Sequence, residues 1–270
     1  MPELPEVETI RRGLAPELAG RRVVAAWSHP SAKFSSAPDI VGAAVTGLDR
    51  RGKYLIASLD DGRELIVHLG MTGSLRALLP ETWKPDVDPY ERAHWRLDDD
   101  RTLVFRDVRR FGRIAVVEAG QYRSLPTLHA LGPEPTSTDF TPDGLWRSVR
   151  ASSRQLKTIL LDQRAVAGVG NIYADEALWI AGLHPARRRL SRADAVPLHA
   201  AIVSVIDAGI RNGGTTLRDY VDADGAAGRN QFHLSCYGRA GEPCLRCGGV
   251  LERSTIDART STWCRSCQRR

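Results

Sequence analysis

The sequence predicts an α+β multidomain protein. It combines an N-terminal β-sandwich with a packed N-terminal helix, a helical domain built as helix, two turns and helix, and a C-terminal β-hairpin zinc finger. Three observations predict this. Apolar periodicity changes from helical spacing to alternation after Gly20, it returns to helical spacing from Pro142, and from about Leu234 the chain becomes rich in Cys and Gly.

Pro5 near the first helical position, with Glu6 and Glu8 in the first turn, starts a helix. Val7, Ile10 and Leu14 give it one buried face, and Gly20 ends it. Alternating segments follow at Arg22 to Trp27, Val45 to Leu48, Tyr54 to Leu59, Glu64 to Leu69, His94 to Leu97, Thr102 to Arg106 and Arg113 to Val117. Asp60-Asp61-Gly62 and Asp98-Asp99-Asp100 occupy hairpin-turn positions. Many short strands separated by turn residues fit a sandwich or barrel.

Residues 131–142, rich in Pro and Thr, read as a linker after a domain spanning 1–130. Trp146 and Val149, then Leu156, Ile159 and Leu160, begin a helical domain over 143–233. In it, Gly168-Val169-Gly170 lies just before Asn171, with the next helix expected from Ile172 and Asn171 as its N-cap. Glycines before a helix N-terminus let backbone N–H groups approach a phosphate, although a plain helical hairpin has the same pattern. Residues 234–270 form the last module. There Cys244-x2-Cys247 and Cys264-x2-Cys267, 16 residues apart, match four thiolates around one tetrahedral zinc ion. The set leaves no open coordination position, so the zinc is structural, and Cys236 falls outside it. Such a small module has little core, and metal ligation worth about 10–16 kcal/mol would supply most of its stability.

A net charge of +6 and a pI near 9.3 permit a polyanionic partner without requiring one. Arginine dominates, as in Arg109-Arg110, Arg187-Arg188-Arg189 and Arg269-Arg270. No secretory signal pattern and no apolar run near membrane-span length is evident, so a reducing, cytoplasmic or nucleoid setting is expected. The five cysteines are therefore read as ligands or thiols before disulfides.

The first residues, Met1-Pro2-Glu3-Leu4-Pro5-Glu6, carry possible chemistry. Removal of Met1 would expose Pro2 as a secondary amine, partly unprotonated near neutral pH. Such an amine attacks a sugar carbon or a carbonyl and forms an iminium, with Glu3 and Glu6 close enough to move protons. An ordinary helix start gives the same residues.

Taken together, the motifs resemble the formamidopyrimidine-DNA glycosylase and endonuclease VIII family of bifunctional DNA repair enzymes. They run in order through the chain: Pro2-Glu3-Leu4-Pro5-Glu6, Arg51-Gly52-Lys53-Tyr54-Leu55, His68-Leu69-Gly70-Met71-Thr72-Gly73, Arg109-Arg110-Phe111-Gly112, Gly168-Val169-Gly170-Asn171-Ile172-Tyr173, Gly213-Gly214-Thr215-Thr216-Leu217 and Tyr237-Gly238-Arg239. The resemblance implies a damaged purine flipped from duplex DNA, attack by Pro2 on C1′, and β- and δ-elimination through the Schiff base. It implies Glu3 as proton donor to the sugar, Glu6 as supporting carboxylate and Lys53 as a secondary acid near a phosphate. Met71, Arg109 and Phe111 would fill the space left by the everted base. His68, His94, Lys157 and Asn171 count among the DNA contacts, and Arg259, five residues before Cys264, would grip phosphates around the flipped nucleotide. The expected partner is double-stranded DNA with oxidised bases or abasic sites, bound by a monomer.

Leu4 and Gly241-Glu242-Pro243-Cys244 resemble the formamidopyrimidine branch, which acts on oxidised purines. The loop Asp224–Phe232, expected to cover the flipped base, departs from the family pattern: Arg229-Asn230 intervene where relatives place an aromatic residue. Two other classes stay open from the residues alone. A non-catalytic damage binder would keep the fold, and a zinc-ribbon protein of transcription or translation would explain the cysteines and charge.

Overall fold

The computed structural model describes residues 2–270. Two compact units emerge, one holding the chain through His129 together with Asn212–Arg229, the other holding Ala130–Arg211 and Asn230–Arg270.

In the first unit, α1 (Leu4–Leu18) opens on a reciprocal capping box between Glu3 and Glu6. Two antiparallel four-stranded sheets follow. One orders β1 (Val23–Ser28), β6 (Glu91–Leu97), β7 (Thr102–Asp107) and β5 (Gly73–Leu78); the other orders β2 (Val45–Arg51), β3 (Tyr54–Leu59), β4 (Arg63–His68) and β8 (Arg113–Glu118). A single core joins Val7, Ile10 and Leu14 of α1 to Leu55, Val67, Trp95 and Phe105 of the sheets. Seven strands lie where alternation predicted them. The eighth, β5, escaped because it starts on a glycine and only Leu75 is deeply buried after it. Gly73 is required there: an added Cβ would meet the Leu69 carbonyl oxygen at 2.1 Å. Helix α2 (Pro126–His129) ends this part of the chain.

The second unit packs α3 (Pro142–Arg150), α4 (Leu156–Leu161), α5 (Asn171–Ile180) and α6 (Arg192–Arg211) with the hairpin β9 (Leu251–Ile256) and β10 (Arg259–Cys264). Three expectations change here. The stretch 131–142, expected as a linker, packs within this unit: Gly132 N–H donates to Gln163 O (2.9 Å), Pro133 O accepts from Ala167 N–H (2.8 Å), and Phe140 is buried against His199. Residues 212–229 leave the expected helical domain and pack with the N-terminal unit, where Glu6 holds Thr215. Helix α5 begins at Asn171 with Gly170 as its N-cap, so Asn171 is not the cap. One further point differs: by length and composition alone, α6 is apolar enough to cross a membrane. Its Leu198, Ala201, Ile202 and Ile206 are buried in this unit.

Candidate active site

Pro2, Glu3 and Glu6 are all buried at the head of α1. Glu6 organises them. One carboxylate oxygen accepts from Glu3 N–H (2.8 Å) and the other from Thr215 N–H (2.7 Å). The turn that presents Thr215 needs glycine: Gly214 has φ +84°, and an added Cβ would lie 2.9 Å from Glu6 Cγ and from Tyr220 Cε1. Tyr220 closes the turn by donating its hydroxyl to Gly213 O (3.1 Å). A carboxylate with both oxygens committed to backbone donors is a fixed strut. Lys53, also buried, sits in the β2–β3 turn beside Gly52 at φ +56°.

His68 ends β4 with its ring 4.7 Å from that of Tyr54. Its Nδ1 accepts from Gly70 N–H (3.2 Å), which leaves the proton on Nε2 in the neutral ring. Burial, and next the Lys53 ammonium, push its pKa down to about 4, against the pull of Asp107. It is therefore a neutral donor at physiological pH, suited to a phosphate oxygen without charge.

Two neighbouring loops carry Met71, Arg109 and Phe111. Asp107, fully buried, ties them together: one oxygen accepts from Thr72 Oγ1 (2.6 Å), the other from Gly112 N–H (2.7 Å). Thr72 Oγ1 in turn accepts from Arg109 N–H (3.0 Å). Gly70 allows the approach, since a Cβ there would lie 2.4 Å from Gly112 N. On this rigid base Met71 is 37% exposed and Phe111 50%, with the Arg109 guanidinium 4.8 Å from the Phe111 ring centre. Apolar side chains displayed on a braced tip can enter a base stack. His94 lies elsewhere, on β6, stacked on Trp27 and edge-on to Trp83. The loop after Tyr220 is folded on itself: Asp222 accepts from Asp224 and Ala226 N–H, and Arg76 donates to Ala223 O and Asp224 O.

In the second unit the hairpin tip carries exposed Arg259 after Asp257 and Ala258, both at positive φ. Its backbone is gripped from two helices. From α5, Asn171 Nδ2 donates to Thr260 O (3.1 Å), and Asp175 accepts from Thr262 N–H (3.0 Å). From α4, Lys157 Nζ reaches Thr260 O (3.0 Å), Ser261 Oγ (2.7 Å) and Asp175 Oδ1 (2.6 Å). Lys157 is 0% exposed. It braces the hairpin from inside, on the Thr260 carbonyl that Asn171 also holds. Among the described residues, Asn171 Oδ1 is buried with no hydrogen-bond partner, which leaves an acceptor open at this helix start. Burial pushes Asp175 up to about 6, against the pull of the Lys157 ammonium.

The thiols of Cys244, Cys247, Cys264 and Cys267 converge, all within 4.8 Å of one another. The Cys244–Cys267 and Cys247–Cys264 sulfurs are 3.9 and 3.5 Å apart. A regular tetrahedron with Zn–S near 2.3 Å requires about 3.8 Å. The four residues fit one structural zinc ion, and Trp179 Nε1 points at Cys244 Sγ (3.4 Å) as an outer support. Cys236 stays outside: it is buried, donates to Thr262 O (3.0 Å), and burial raises its pKa.

Family models match all three parts: formamidopyrimidine-DNA glycosylase N-terminal domain over residues 1–114, its H2TH domain over 131–221, and the zinc finger found in such glycosylases and an isoleucyl-tRNA synthetase over 241–270. The formamidopyrimidine-DNA glycosylase of Herpetosiphon aurantiacus is 42% identical, covering 99% of this chain and 100% of the relative. The chain belongs to the formamidopyrimidine-DNA glycosylase family. The crystal structure of the Thermus thermophilus protein superposes with a TM-score of 0.91 at 43% identity, covering 99% of this chain and 98% of that one. The Lactococcus lactis glycosylase, solved with DNA containing an abasic site, superposes at 0.90 with 32% identity over 99% of this chain and 100% of that one.

Three acids of this glycosylase were missed in the sequence. Asp107 and Asp175 brace the loops and hairpin, and Glu176 accepts from the N–H groups of Ser235, Cys236 and Tyr237. The only signal for Glu176 and Asp175 was a pair of acids within an otherwise apolar α5.

Proposed function

We propose that this glycosylase excises oxidised purines, 8-oxoguanine and formamidopyrimidines, and then cleaves the strand as an abasic-site lyase. The observation that carries the reading is the Glu6 strut, which holds Glu3 and the Gly214 turn at the head of α1 where Pro2 lies. Lactococcus lactis relatives solved with formamidopyrimidine-containing and abasic DNA support the substrate class.

With Met1 removed, the Pro2 nitrogen attacks C1′ as the damaged base leaves with its bonding pair and takes up the proton that the Pro2 amine gives up. Glu3 delivers a proton to the sugar ring oxygen, the ring opens, and the Pro2 iminium forms. The iminium acidifies the C2′ hydrogen, so the 3′ phosphate leaves by β-elimination. A second proton loss expels the 5′ phosphate by δ-elimination, and water releases the sugar fragment from Pro2. Lys53 and neutral His68 serve flanking phosphates, and Arg259 with Asn171 hold the backbone of the flipped nucleotide. Met71, Arg109 and Phe111 occupy the vacated stack. The zinc centre keeps the Arg259 hairpin folded and takes no part in bond making. The enzyme acts as a monomer on duplex DNA, in the bacterial cytoplasm or nucleoid.

Borohydride trapping on duplex DNA carrying 8-oxoguanine opposite cytosine tests this, with intact mass establishing the state of Met1. A covalent adduct at Pro2 is expected. Absence of adduct from Met1-free protein, on this duplex and on an abasic one, would replace the enzyme with a damage binder.

A further inference from the structure

The second unit carries a cationic groove that the glycosylase reading does not use. Two clefts, of about 570 and 620 Å³, share Arg188 and Arg189. Trp146 and Arg150 line the first, Arg187 and Arg270 the second, and among the described residues no carboxylate side chain lines either.

The groove is built rather than a loose run of charge. Residues 185–187 are fastened to the start of α4, where Leu156 N–H donates to Arg187 O (2.6 Å) and Lys157 N–H to Pro185 O (3.1 Å). Arg187 bonds Arg189 O (2.6 Å) and pairs with Asp194 (2.6 Å), fixing the segment that bears Arg188 and Arg189. Arg188 is held by Ser153 O (2.8 Å). The Trp146 ring is flanked by Arg150 at 5.1 Å and Arg192 at 4.3 Å. The nearby acids are already committed, Asp194 to Arg187 and Asp143 to Arg147 and Arg192. Among the described residues, Arg150, Arg188 and Arg189 form no ion pair, and all three are exposed. Paired arginines would be neutralised surface; these three are spare charge in a concave seat, where field is focused.

The groove shares no lining residue with the candidate site: among the described residues, neither cleft is lined by Lys157, Asn171 or Arg259.

We infer that this groove seats the phosphodiester backbone of DNA outside the lesion, on a second stretch of duplex. The inference rests on the DNA-repair reading only for the identity of the polyanion. Its use would be retention: a protein held at a second point on the polymer stays associated while the lesion-reading face disengages and searches.

The test uses the full-length zinc-loaded protein and the double variant Arg188→Ala/Arg189→Ala, with Arg188→Lys/Arg189→Lys as a charge-keeping control. Zinc content and circular dichroism establish that each is folded. Binding to long undamaged duplex is titrated against salt, and excision is followed on a lesion duplex of about 13 base pairs under single turnover. The expected result for the alanine variant is a logarithmic salt slope smaller by about 2, with affinity for long duplex about tenfold weaker near 0.1 M salt. The lysine control should keep the slope, and short-duplex excision should be unchanged in both. An unaltered slope in the alanine variant would overturn the inference. So would loss of poly-L-glutamate binding with long-duplex binding intact, which would make the groove a seat for an acidic protein. Failure of excision in the unaltered protein would strike the proposed reaction, with the groove still judged by the salt slope.

Discussion

Separating Lys157 from Asp175 should produce two variants with opposite pH dependence. The pair is buried, with its charges 2.6 Å apart, and it holds β10 at Thr260, Ser261 and Thr262. Breaking a buried pair from one side costs about 3–5 kcal/mol, because the surviving charge is orphaned. The orphan can escape by changing protonation, which caps the cost. In Asp175→Asn the ammonium would lose its proton; from an ordinary pKa near 10.4, doing so at pH 7 costs about 4–5 kcal/mol. In Lys157→Met the carboxyl would gain one; from the ordinary 3.8 this costs about 4 kcal/mol at pH 7. The signs then diverge. An ammonium whose folded pKa is depressed becomes more favourable as pH rises, so Asp175→Asn should recover stability toward alkaline pH. A carboxyl whose folded pKa is raised becomes more favourable as pH falls, so Lys157→Met should recover toward acid. The double variant, with neither charge, should cost less than the sum of the singles. Zinc release during urea titration from pH 5 to 9 reads the hairpin locally. Parallel pH slopes in the two single variants, or losses below about 1 kcal/mol, would refute the claim that this pair clamps β10.

Other outcomes follow from the same geometry. His68 has its folded pKa below the ordinary 6.5, at about 4, so its contribution should hold above pH 6.5 and be lost as pH falls toward 4. That loss amounts to at most about 3 kcal/mol, and urea titrations should show it vanish in His68→Gln. Glu6→Gln places an NH₂ group against either Glu3 N–H or Thr215 N–H. It should cost about 1–3 kcal/mol in thermal unfolding and slow Schiff-base trapping, whereas unchanged trapping would remove Glu6 from site positioning. Phe111→Ala, at a half-exposed tip, should leave stability within about 0.5 kcal/mol and weaken binding to lesion duplex; equal affinity by fluorescence anisotropy would exclude insertion. Chelation should unfold residues near the four cysteines, with loss of Arg259-dependent DNA affinity. Retained affinity after verified zinc loss would separate the zinc from DNA binding.

What could be read from the residues divides by the range of the interaction. Period and turn chemistry are local, so seven strands, the hairpin turns at Asp60–Gly62 and Asp98–Asp100, and the spacing of the four zinc-site cysteines were all legible. Strand β5 was not, because its first residue is a glycine chosen for a close approach to Leu69 rather than for alternation. The N-terminal carboxylates were legible as a motif, and the resemblance divided their expected roles, but their hydrogen bonds were not legible. Only the distances show Glu6 spending both oxygens on backbone donors, one of them 209 residues away. The same limit hid Asp107, Asp175 and Glu176. Each looks like an unremarked acid in a strand or helix, yet each accepts from backbone N–H groups of a segment that carries a candidate site residue or motif. A buried carboxylate is costly unless donors surround it. Its presence in an apolar stretch therefore predicts that some distant loop must bring N–H groups to it, although not which loop. Asp175 and Glu176, adjacent on the apolar helix α5, are where that rule could have been applied, and the segments they hold are the Arg259 hairpin and the Tyr237-Gly238-Arg239 motif.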